Sequence, residues 1–371
     1  MTLRIGFVTG SDRWWQTSRI QVKYLKMRFD GMVYPDTYAL PALLGTTCDF
    51  LTNGDRVGPR DYDLLMAELN ASDSQLDYLR ALVEAGRPPV AVIPGPPEII
   101  GRKLNDRKLR LVREILSNAA FVWCYAPSIK TFADGIAGHA RAQVIPWPFD
   151  AEATRRAAIP ERPKPVESIH VLLDAPLRFT DIAHNYPFVL KRAVQIALEA
   201  VPDASRSRFR FHSVVYTKED EQQFHESGFA DGLAVTLAPK RQYKPFVRFL
   251  AGCDGIVNLL NGNPLGRVTF LAGALGKPGV FSDTSELNRE LYPQSTVPLL
   301  DPERLSDALT MMFVSLASDV AEPRCKPDMD AVNRIGDFRS NSTALLALVH
   351  EGLESLSKAA VQNHAALHTR R

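Results

Sequence analysis

The chain has 371 residues, 45% hydrophobic and 23% charged, a composition and length that can bury a sizeable core and form two domains. Its 44 basic and 42 acidic residues leave a formal net charge of +2, so no excess field directs it to nucleic acid. No apolar run approaches the ~20 residues that span a bilayer, and the opening MTLRIGFVTGSD enters a strand-like run without the apolar core of a signal peptide. A cytoplasmic location is the expectation, with no transmembrane segment and with peripheral membrane contact left open. Cys48, Cys124, Cys253 and Cys325 lie far apart with no C-x-x-C pair, so free thiols are expected rather than a zinc or disulfide framework.

RIGFVTG (Arg4 to Gly10) reads as a buried strand running into a polar turn, and Ser18 to Asp30 has a helical period. Further strands are predicted at Cys48 to Asn53, Asp61 to Glu68, Pro88 to Gly95, Ala119 to Ala126 and Ala142 to Pro148. Between them lie helices at Ser74 to Ala85 and Arg107 to Asn118. Short apolar strands alternating with amphipathic helices predict a parallel, doubly wound sheet over residues 1–150. The stretch Asp150 to Glu167 turns polar and proline-rich and loses apolar periodicity, which predicts an interdomain linker at 151–168.

The alternation then restarts. Ile169 to Pro176, Arg208 to Tyr216, Leu233 to Pro239, Gly255 to Leu260 and Pro278 to Ser282 read as strands, and Tyr186 to Ala200, Gln242 to Ala251, Gly266 to Leu275 and Pro302 to Leu316 as helices. They predict a second domain over 169–340. A last amphipathic helix, Asn341 to Leu356, and a tail, KAAVQNHAALHTRR, expected to fray, complete the chain at 341–371. The expected fold class is therefore α/β, with two Rossmann-like doubly wound parallel-sheet domains facing a cleft, and ligands at the carboxyl ends of the strands.

One stretch carries more than fold. The strand at Gly255 runs into Asn263-Pro-Leu-Gly266-Arg267, a helix, Gly276-Lys277-Pro278, and a strand ending Ser282-Asp283. A helix opening at a glycine turn offers unpaired amides and a positive dipole end, a seat for a diphosphate, while Arg267 can add a bidentate cation. This frame, with VIPWPFD (Val144 to Asp150), resembles the nucleotide-sugar site and interdomain exit of GT-B glycosyltransferases, particularly the family 4 retaining enzymes. The resemblance implies transfer of a hexosyl-type sugar from a nucleotide diphosphate donor to a carbohydrate or other hydroxyl acceptor, with no cofactor or metal required.

The frame also departs from that family. In the resembling enzymes two glutamates eight positions apart bracket the donor, and their places here hold Asn263 and Leu271. A histidine that the family often places in the N-terminal domain is absent from VIPGPPEII (Val92 to Ile100), where Glu98 is the nearest ionisable group. Asn263, Glu98 and Asp12 are thus the candidates for the reacting groups. Gly266, Arg267, Arg178, Lys240 and Arg241 are the candidates for donor phosphate, with Asp174 as a substitute for ribose recognition. Arg13 and Trp14, just past the first strand, are placed on the acceptor side, where a tryptophan can stack on a sugar ring. Two readings follow: a divergent glycosyltransferase, or a GT-B-shaped accessory protein that binds nucleotide or carbohydrate without catalysis. A nucleotide-sugar 2-epimerase shares the architecture but calls for converging acids and histidines that the sequence does not display.

Overall fold

The computed structural model describes residues 4–8, 47–51, 56–58, 60–69, 72–86, 88–95, 100–101, 103–138, 142–147, 149–159, 167–174, 187–215, 218–239, 243–259, 266–299, 301–318 and 324–368. The chain divides into two compact units, one of residues 1–148 and 338–371, the other of residues 149–337.

In the first unit, strands β1 (Arg4–Val8), β2 (Thr47–Leu51), β3 (Leu64–Leu69), β4 (Val90–Pro94), β5 (Phe121–Cys124) and β6 (Ala142–Val144) form one parallel sheet in the order β2-β1-β3-β4-β5-β6. Helices α1 (Asp73–Ala85), α2 (Asp106–Asn118) and α3 (Pro127–Ala137) alternate with them. The central strands β3, β4 and β5 are buried almost throughout, with Leu64, Leu65, Met66 and Ala67 all fully inaccessible, as a sheet covered on both faces requires. Helix α2 starts where predicted because Asn105 caps it, its side chain accepting from the Lys108 amide at 2.9 Å.

The polar stretch expected to be a linker opens instead with helix α4 (Ala151–Ala157). Asp150 caps it, accepting from the Ala153 amide at 2.7 Å, and Arg155 donates to the Ala274 carbonyl at 3.0 Å and to Asn333 at 2.8 Å. Phe149, just before it, stacks on Phe270 with ring centroids 4.3 Å apart. The segment is therefore part of the second unit. Its lack of an apolar stripe follows from docking through arginine and a short buried face, Ala151 and Thr154.

The second unit continues with β7 (Ile169–Leu173), α5 (Pro187–Glu199), α6 (Asp203–Arg206), β8 (Phe209–Val215), α7 (Lys218–Glu226), β9 (Val235–Pro239), α8 (Tyr243–Gly252) and β10 (Gly255–Asn258). Helix α9 (Arg267–Ala274), β11 (Gly279–Ser282), α10 (Glu286–Leu291), β12 (Thr296–Val297), α11 (Pro302–Ala317) and α12 (Met329–Ile335) complete it. All its strands are parallel, in the order β12-β11-β10-β7-β8-β9. In chain order this is the 6-5-4-1-2-3 arrangement of a Rossmann sheet, whose topological switch point lies between β7 and β10.

The final helix, α13 (Phe338–His368), returns to the first unit. It extends through the tail expected to fray, a segment rich in alanine and other good helix formers. Leu345, Leu348 and Val349 are buried, and Gly352 sits so close to Phe121 that an added Cβ would lie 2.4 Å from its ring.

Candidate functional site

Strand β10 leads toward helix α9, whose first turn stands at the carboxyl edge of the second sheet. Gly266 is the N-cap, with φ 50° and ψ 38°, and among the described residues no side chain caps the helix. The positive φ explains the glycine, since a Cβ is strained in the left-handed region. A Cβ there would lie 2.9 Å from Leu287 Cδ2 and 3.1 Å from Asn288 Oδ1, so its missing side chain would face α10. Gly266 is thus demanded by the turn and by the approach of α10, a structural reason that precedes any ligand.

The rest of the frame is built with similar economy. Thr269, Phe270, Leu271, Ala272, Gly273 and Ala274 are buried, while Arg267 and Val268 are half-buried at the exposed end. The helix ends at Gly276, φ 64°, whose amide donates to the Gly273 carbonyl at 2.9 Å while the Lys277 amide reaches the Ala272 carbonyl at 2.9 Å. This pair of bonds is a Schellman motif, and it accounts for the glycine of Gly-Lys-Pro. Lys277 Nζ donates to the Ala251 carbonyl at 2.7 Å, at the C-terminal end of α8, where a helix dipole favours a cation. Tyr292 caps the arrangement by donating to the Lys277 carbonyl at 2.8 Å. Gly-Lys-Pro is therefore a fastening that holds α9 rigidly against the sheet.

A second group gathers at the switch point. Asp174, one residue beyond β7, continues the pairing through its amide to the Val257 carbonyl at 2.8 Å. Its Oδ2 accepts from Asn258 Nδ2 at 2.9 Å. Asp174 is 3% exposed and Asn258 6%. Val171, Leu173 and Val257 belong to the core cluster that α5 and α11 cover, so alternation along β10 puts Asn258 on the opposite face, where α9 packs. Burial raises the Asp174 carboxyl from its ordinary 3.8 to about 6, and the bond from Asn258 opposes that rise. Ser213 in β8 and Ser282 at the end of β11 are also buried, but alternation from Phe211 and Val280 puts them on the face covered by α5 and α11, opposite Asp174 and Asn258. The sequence signal for these residues was present but faint, a single polar residue closing or interrupting each apolar strand.

Of the predicted site residues, the structure describes Gly266, Arg267 and Asp174. Asp12, Arg13, Trp14, Glu98, Arg178, Lys240, Arg241 and Asn263 lie outside the described residues. Leu271 is 4% exposed and lies inside the core. Glu286 begins α10, and Glu290 forms an ion pair with Arg334 of α12. The described thiols Cys124, Cys253 and Cys325 are free and buried, and burial pushes Cys124 up to about 12 and Cys325 to about 11. His364 and His368 stand four residues apart in α13. Among the described residues no three potential metal ligands converge, and no helix is long and apolar enough to cross a membrane.

No known protein family and no curated protein matches the sequence. Among solved structures the chain is similar to HepE from Anabaena, a structure in complex with UDP and glucose, with TM-score 0.59 at 15% identity, covering 94% of this chain and 99% of that one. The fold is GT-B. It is similar also to a UDP-forming α,α-trehalose-phosphate synthase from Burkholderia xenovorans, with TM-score 0.58 at 11% identity, covering 96% of this chain and all of that one. A UDP-GlcNAc 2-epimerase from Methanocaldococcus jannaschii gives TM-score 0.55 at 12% identity over 94% of this chain and 100% of that one. At these identities the likeness shows the GT-B architecture, and the chemistry has to be argued from the residues.

Proposed function

We propose that the protein is a glycosyltransferase that takes a nucleoside diphosphate sugar as donor and a carbohydrate or other hydroxyl compound as acceptor. One observation carries the reading: α9 presents its N-terminus at the carboxyl edge of the second sheet, with glycine as its N-cap and no side-chain cap among the described residues. Such an end carries roughly half a positive charge and several orphan amides, suited to a leaving diphosphate. Arg267, in the first turn, supplies a fixed cation beside it. In the reaction the acceptor oxygen bonds to the anomeric carbon, the bond from that carbon to the diphosphate breaks, and the acceptor proton passes to a carboxylate. Glu98 and Asp12 are assigned to that proton, Asn263 to the transferred sugar, Arg178, Lys240 and Arg241 to phosphate, and Arg13 and Trp14 to the acceptor. Charge on the diphosphate is neutralised by the helix end and these basic groups, and no metal enters the proposal.

Calorimetric titration with UDP, GDP, ADP and dTDP tests the donor site. At least one is expected to bind, and Arg267→Ala or Gly266→Asp to abolish the binding. Absence of binding by all four would refute the donor site. The buried position of Leu271 favours a second reading, binding without transfer, because no glutamate stands there to hold the donor. Nucleotide binding without release of sugar from any donor across a panel of hydroxyl acceptors would establish that second reading.

A further inference from the structure

Asp174 is costly to keep. A carboxylate that is 3% exposed loses its hydration, and among the described residues no charged partner offsets that loss. Its raised pKa shows the same cost from the titration side. An asparagine or a leucine would fill the position without a buried charge, so packing gives no reason for an acid here.

The geometry gives one. Asn258 is the single donor to this carboxylate among the described residues, and it reaches only Oδ2. That bond fixes the rotation of the carboxyl group and leaves Oδ1 as an acceptor of defined direction. The position is the switch point of a 6-5-4-1-2-3 sheet, where open α/β sheets receive their ligands. It lies on the face where α9 packs, beside the strand that leads to the α9 N-terminus. An acceptor with a formal negative charge repels phosphate and selects a hydrogen-bond donor.

Resting on the donor reading above, we propose that Asp174, oriented by Asn258, is the hydroxyl-recognising residue of this site. It takes the acceptor role that Leu271 cannot fill, through the Oδ1 to which no described residue donates. The ligand chemistry is a hydroxyl group, from the ribose of the nucleotide or from the sugar attached to it. Asp174 accepts that hydroxyl while the diphosphate is held separately at α9. It is a specificity residue, and it forms and breaks no bond.

The experiment is calorimetry of the full chain, wild type against Asp174→Asn, with UDP, 2′,3′-dideoxy-UDP and UDP-glucose. The asparagine is isosteric and keeps an oxygen for Asn258 while turning a donor toward the ligand. A hydrogen bond to a charged acceptor makes the expected loss roughly 10- to 150-fold in affinity. Recognition of ribose gives that loss with UDP and none with dideoxy-UDP. Recognition of the sugar gives no loss with UDP and the full loss with UDP-glucose. Asp174→Ala, which deletes the acceptor, must reproduce the same ligand dependence, and this guards against a variant-specific folding defect. Equal binding of all three ligands by wild type and both variants overturns the role of Asp174 and leaves the donor site standing. Failure of the wild type to bind any of them, and likewise the GDP, ADP and dTDP counterparts, overturns the donor reading and this assignment with it.

Discussion

Replacing Asp174 by asparagine should stabilise the protein, and the gain should depend on pH in a defined direction. In the folded chain the carboxyl is raised from 3.8 to about 6, principally by burial. The separation between those values, at about 1.4 kcal/mol for each pH unit, corresponds to about 3 kcal/mol. Below pH ~4 the group is neutral in both states and costs nothing. As the pH rises from about 4 to about 6 the unfolded chain ionises a hydrated acid while the folded protein still holds its proton, so stability is lost across that window and levels off above it. Asp174→Asn removes the loss. The difference between variant and wild type should be near zero at pH 4 and approach about 3 kcal/mol at pH 7.5. Urea unfolding at pH 4, 5, 6 and 7.5, followed by far-ultraviolet circular dichroism, measures it through the midpoint. A gap that is constant with pH, or a variant less stable than wild type at pH 7.5, would refute the account of Asp174 as a buried, uncompensated acid. A variant that gains stability while losing affinity would show that the acid is retained for binding, the usual trade at a functional site.

Gly266→Ala places a Cβ in the left-handed region and 2.9 Å from Leu287 Cδ2, and should cost at least about 1–2 kcal/mol, read as a lowered melting temperature. Gly352→Ala sets a Cβ 2.4 Å from Phe121. It should destabilise the first unit by about 1–3 kcal/mol, visible as an earlier tryptophan fluorescence transition. Tyr292→Phe removes the 2.8 Å bond to the Lys277 carbonyl. The variant should lose about 1–2 kcal/mol, with faster hydrogen exchange in α9 and α10.

The local order of strands and helices was legible because each reports its own surroundings. Strands covered on both faces need nearly continuous apolar runs, and RIGFV, LLMAEL and GIVN carry them. Helix α7 was missed because its KEDEQQFHE is mostly charged and polar, and β12 because two residues leave no period to read. The ALGKPG close of α9 belongs to the frame that resembles a nucleotide-sugar site, yet Gly276, Lys277 and Tyr292 show that it fastens the helix.

By itself the sequence determined the fold class, the run of α9 from Gly266 to Gly276 and the absence of acids at Asn263 and Leu271, because those depend on residue type and local periodicity. The tertiary structure alone decided the strand order, and with it the switch point. It decided too that the last helix belongs to the first unit, and that Asp174 meets Asn258 across 84 residues of chain. Pairings of that kind arise from which strands lie side by side, a choice made by burial of both faces of the sheet and carried by no local signal.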